Sequence, residues 1–147
     1  MNRLAKFFAL TLPEQQDLVE AALCLGAARL FLFLPFRWLV RVIGRPQAGA
    51  NCSAAALGSD ESSVASAVRY AILRVSERLP WQSSCLVCAL AAQMMLRRRH
   101  LPSVLQLGVR AGPATKLSAH AWLKCGELDV VGVEGAAEFT PIAAFNA

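Results

Sequence analysis

The spacing of apolar positions changes character two-thirds of the way along the chain. Up to about Arg45 the pattern is helical: Leu18, Ala21, Ala22 and Leu25 keep one face apolar, and Leu30 to Val42 forms a second, more hydrophobic segment around Pro35. Thr11 is a candidate N-cap, with Pro13 early in the helix and Glu14 as its capping-box partner. Residues 46–63, PQAGANCSAAALGSDESS, are small and polar and read as a linker. Ser62 or Ser63 then caps a helix from about Val64 to Leu79, where Val64, Val68, Ile72 and Val75 recur at helical spacing before Pro80. The longest helix signal runs from Cys85 to Arg99, with an apolar stripe through Leu86, Ala89, Leu90, Gln93 and Met94, and Pro102 beyond it. Strand-like runs follow at Val104–Arg110, Leu117–Cys125, Leu128–Val133 and Phe139–Phe145. Helices first and an antiparallel sheet after predict an α+β fold.

Composition narrows the function classes. A chain of 147 residues, 56% apolar and 17% charged, has the makings of one buried core and not of a disordered segment. The net charge of +5 permits an anionic partner but lacks the dense basic surface of a nucleic-acid binder, and Arg97, Arg98 and Arg99 form a short run without interleaved aromatics. A mean hydropathy of +0.44 raises a membrane question. Residues 21–43 are the only candidate span, and they carry Arg29, Arg37 and Arg41 and are broken by Pro35, so a transmembrane helix is rejected. At the start of the chain, Pro13, Glu14 and Asp17 arrive too soon for a signal peptide, and a cytoplasmic location is expected. The arm of residues 1–45 then reads either as a helical hairpin packed on the rest or as a basic amphipathic surface, through 21–43, for a membrane or a partner.

Five cysteines, Cys24, Cys52, Cys85, Cys88 and Cys125, are an odd number without an export signal, which favours thiol or metal chemistry over a disulfide framework. There are two histidines. His100 follows three arginines at a helix end and reads as a solvated dipole partner, and His120, inside the strand SAHAWLK, would alone be an ordinary core or surface residue. Cys85 changes that reading. It stands in the first turn of a helix after Ser83 and Ser84, where backbone N–H groups favour a thiolate and a developing oxyanion. A helix-tip thiol followed by a strand histidine is the arrangement of papain-like and transglutaminase-like enzymes. Cys88, one turn further in, reads as structural. The competing metal set, Cys85, Cys88, His120 and Cys125, has CxxC spacing inside a regular helix instead of the tight turn of a zinc knuckle, so no metal is expected.

The strings LPWQSSCLVCALAAQMMLRRRHLPSVLQLGVRAG, SAHAWLKCGELDVVG and EFTPIAAF resemble the lasso peptide biosynthesis B proteins, stand-alone leader peptidases with a transglutaminase-like (papain-like) fold. The resemblance is strong over residues 76–145, and the N-terminal helices with their LPF segment are also similar. With the organisation above, it implies a helical arm (1–45), a linker (46–63) and a cysteine peptidase domain (64–147). Cys85 matches the family's nucleophile and His120 its general base. The implied activity is removal of the leader from a ribosomally made precursor, usually after a leader whose penultimate residue is threonine, so that an asparagine-synthetase-like cyclase can close the macrolactam. In such systems a PqqD-like protein holds the leader. The first 60 residues here read as helical, without the strands of that module, so a separate recognition protein is implied. No cofactor is implied.

The family's aspartate lies on the strand after HAW, where the only aspartate is Asp129. A simple hairpin turning at Gly126 and Glu127 sets Lys124 opposite Asp129 and His120 opposite Val133, which leaves Asp129 about 13 Å along the strand from His120. A bulge or wider loop is needed to bring it closer, and Glu134 or a backbone carbonyl are the alternatives. Gln82 and the Cys85 N–H are oxyanion candidates, with an exposed loop glutamine as the competing reading of Gln82; Trp81 and Trp122 read as packing walls. A second class of function is a non-catalytic scaffold or zinc-binding interaction protein that delivers the precursor to its partners.

Overall fold

A computed structural model describes residues 7–47, 56–113 and 116–147; Arg3, Lys6, Cys52 and linker residues 48–55 lie outside the described residues. The first long helix, α1 (Leu12–Phe31), starts at the expected cap, where the Glu14 carboxylate accepts from both the N–H and the hydroxyl of Thr11 at 2.8 Å. It buries Leu18, Ala21, Cys24, Leu25 and Ala28, the spacing of one helical face. Across Pro35 follows α2 (Phe36–Ile43).

Two elements depart from the sequence expectation. The helix expected from Val64 begins at Ser59, as α3 (Ser59–Ser76). Asp60 and Glu61, which read as linker, form its acidic first turn: Glu61 accepts from the Gly58 N–H at 2.8 Å, and negative charge suits the positive end of a helix. Residues expected to end a helix and open the linker instead form β1 (Arg45–Gln47), a strand held by pairing with the last strand of the chain.

Helix α4 (Cys85–Arg98) begins at the expected residue and ends as His100 takes a left-handed φ of 56°. Then come β2 (Val104–Ala111), β3 (Leu117–Cys125), β4 (Leu128–Val131), a 3-10 turn at Ala136–Glu138 and β5 (Thr140–Asn146). The five strands pair antiparallel in the order β1-β5-β2-β3-β4, so the fold is α+β.

The core lies between helices and sheet. Leu25, Ile72, Leu90, Met95, Leu96, Leu105 and Leu123 are fully buried there, with α1 against α3 and α4, and α4 across β2, β3 and β4. The arginine run at the end of α4 fastens it to α1: Arg99 pairs with Asp17 at 2.6 Å and Glu20 at 2.8 Å, and Arg98 with Glu20 at 3.5 Å. The inner face of α1 is thus packed on the rest, while Leu12, Val19, Leu23 and Leu30 on the same helix stay exposed. Among the described residues no helix is long and apolar enough to cross a membrane.

Candidate active site

The tip of α4 is built by its cap. Ser84 accepts from the Val87 N–H at 3.3 Å, and this leaves the N–H groups of Cys85 and Leu86 without an intrahelical acceptor. Cys85, half-buried, stands at this tip. Burial pushes the Cys88 thiol up, and its sulfur lies 4.0 Å from the Ser83 carbonyl, in keeping with a structural role. Burial likewise raises Cys24 and Cys125. Just before the helix, Trp81, Gln82 and Ser83 line an open depression of about 520 Å³. The Trp81 Nε1 and Ser83 Oγ atoms are buried in this segment without a hydrogen-bond partner among the described residues, and the Arg29 guanidinium stands 5.8 Å from the Trp81 ring centroid.

His120 is placed by the pleat of β3. Ala121, Leu123 and Cys125 enter the core under the helices, so the alternate residues His120, Trp122 and Lys124 leave the other face. The imidazole is stacked 5.9 Å from Trp122 and lies 5.0 Å from Phe139, and its Nε2 is 2.6 Å from the Gly132 carbonyl oxygen. Trp122 donates its N–H to Gln106. Opposite His120 on β2 is Gly108, where a Cβ would come within 2.7 Å of the Trp122 ring and 3.0 Å of Phe139. Trp122 is therefore a packing wall, as expected.

The hairpin turns at Gly126 and Glu127 and sets Lys124 opposite Asp129, as the sequence predicted. It also carries a bulge, between Lys124–Asp129 and Leu123–Val131. Asp129 lies before the bulge and keeps its place beside Lys124, whose Nζ is 3.3 Å away; past the bulge the chain is set back by one residue, and the Gly132 carbonyl is the group there that reaches His120. The ring's hydrogen-bond partner is thus the backbone-carbonyl alternative in place of Asp129. Glu134 lines a depression of about 440 Å³ with Arg69, Asp129 and Gly132, and among the described residues it makes no hydrogen bond to the ring.

α4 packs on the inner side of β3, and His120 leaves the outer face of that strand. The last turn of α4 leads through residues 99–103 into Val104, which faces Lys124 across the sheet. Among the described residues no hydrogen bond joins Cys85 to His120. Because β4 stops at Val131, opposite Leu123, among the described residues no strand pairs with the His120 end of β3 on that side. The competing zinc donors are dispersed: Cys125 is in the core, His120 is on the far face, and among the described residues no three His, Cys, Asp or Glu side chains gather to hold a metal.

Sequence reasoning missed Gly132, Gly108 and Phe139. Gly108 did leave a signal, since glycine inside a strand marks a close approach of another group.

No curated protein and no solved structure matches the chain significantly. Residues 30–144 match the family model described as the transglutaminase-like superfamily, a span that takes in α2, β1, α3, α4 and the sheet as far as β5. By this match over most of its length the chain belongs to the transglutaminase-like superfamily, whose fold is of the cysteine-protease type.

Proposed function

We propose that this protein is a cysteine peptidase that cuts the leader from a ribosomally made lasso precursor. The observation that carries the reading is the α4 tip, where a cysteine sits beside two N–H groups that lack intrahelical acceptors. The Cys85 sulfur attacks the scissile carbonyl, and the N–H groups of Cys85 and Leu86, with Gln82 as a further donor, face the oxyanion that forms. With Nε2 engaged by Gly132, the Nδ1 of His120 takes the thiol proton and returns it to the leaving amine; water then releases the acyl group. The catalytic hydrogen bond closes when the substrate binds, as is common in unliganded enzymes. An extended peptide suits the edge of β3 past Leu123, where β4 has ended.

The leader is presented by a separate PqqD-like protein, and the freed core passes to an asparagine-synthetase-like cyclase, in the cytoplasm. The exposed apolar stripe of α1 supports contact with such partners or with a membrane surface. The test is cleavage of precursor by the Cys85→Ala variant with recognition protein present. No leader release is expected, and release at the native rate would overturn the reading. A scaffold would tolerate this change.

A further inference from the structure

We propose that His120 is oriented by the main-chain carbonyl of Gly132 in place of a side-chain carboxylate, and that Gly132 and Gly108 are the two positions that make this possible. The inference rests on His120 as the general base and adds what holds it. Three observations carry it. The Nε2–Gly132 O separation is 2.6 Å, the distance of a strong hydrogen bond. Gly132 has φ +73°, and a Cβ there would lie 2.4 Å from the Ala121 carbonyl oxygen, so a side chain would drive this stretch of chain off β3 and carry the acceptor away. On the opposite side, the missing Cβ of Gly108 lets Trp122 lie down over β2, where Trp122 and Phe139 flank the imidazole.

The aspartate of the hairpin is turned to a different partner. Asp129 is held by Lys124 at 3.3 Å, on the far side of the bulge. A carbonyl accepts only from a protonated Nε2, so it fixes the neutral tautomer whose Nδ1 lone pair is free for the thiol proton. It does this without a full negative charge. Gly132 is in this sense a positioning residue: it acts through His120 and does not touch the reacting atoms.

The test reads tautomer and turnover separately. Two-dimensional 15N–1H spectra of the full chain should show neutral His120 protonated at Nε2, in the native protein and equally in Asp129→Asn and Glu134→Gln. Precursor cleavage by those two variants should stay within about twofold of native. Replacing Val133 by its 2-hydroxy acid analogue converts the Gly132 carbonyl to an ester, a weaker acceptor. Loss of one hydrogen bond's worth of orientation predicts a drop of about tenfold in kcat with KM unchanged, and a mixed tautomer signal. The proposal is overturned if Asp129→Asn or Glu134→Gln shifts the tautomer or costs tenfold or more, or if the ester leaves both tautomer and kcat as they were. The tautomer readout needs no substrate, so it stands or falls independently of whether Cys85→Ala abolishes cleavage.

Discussion

The two faces of β3 show how one strand serves two ends. Its inner residues, Ala121, Leu123 and Cys125, are at most 1% exposed and belong to the same core as α1, α3 and α4. Its outer residues make specific pairings instead: His120 with Gly132, Trp122 with Gln106, Lys124 with Asp129. Non-directional burial secures the strand from one side, and directional contacts aim the side chains on the other. Stability and chemistry should therefore separate by residue parity.

The sharpest way to break this comparison is to truncate neighbours of opposite parity. His120→Ala is expected to lower precursor cleavage by about 10²–10⁴-fold, the range of a lost general base, while unfolding free energy changes by about 1 kcal/mol or less. Leu123→Ala should do the reverse, with a loss of about 2–5 kcal/mol in denaturant unfolding and near-native turnover in the fraction that remains folded. If His120→Ala destabilises as much as Leu123→Ala, the outer face is structural and the division fails.

Gly108→Ala probes the junction of the two roles, because the added methyl meets the Trp122 ring at 2.7 Å. Overpacking there should cost about 1–3 kcal/mol and, by displacing one wall of the imidazole, lower cleavage roughly tenfold. Combining it with Trp122→Phe, a smaller ring, should recover part of the turnover. A double variant no better than the single one would mean that Trp122 does not position the ring.

Much of the division could be read before the structure. The alternation of Ala121, Leu123 and Cys125 with His120, Trp122 and Lys124 is a period-two pattern, and the Gly126–Glu127 turn fixes Lys124 opposite Asp129 by counting. Cys85 was legible as a helix start because Ser84 is a good N-cap and the stripe behind it is long. What escaped had no local code. β1 is three residues with a proline at its centre and exists because β5 pairs with it. The bulge before Val131 depends on how the hairpin closes against its surroundings, and it sets Val131 where simple counting puts Val130, opposite Leu123. The acceptor itself is a main-chain carbonyl, which every residue carries, so no side-chain motif could announce it.

The smallest expected effect concerns pH and the inner face alone. Burial, followed by the charge of Glu61, raises the Cys125 thiol above its ordinary value near 9.0, so the folded protein holds this proton more tightly than the unfolded chain does. The sign follows from linkage: the contribution is fully present below the unfolded value and is lost as pH rises past it, because only the unfolded state releases the proton there. Each such thiol adds at most about 1.4 kcal/mol of lost stability per pH unit above 9. Cys24 and Cys88 are raised by burial in the same direction, so Cys125→Ala should flatten the alkaline decline without abolishing it. Urea unfolding under reducing conditions between pH 7 and 10.5 measures that slope. An unchanged slope in Cys125→Ala would mean that this core thiol reaches solvent in the folded state, and the inner face of β3 would then be less sealed than its packing indicates.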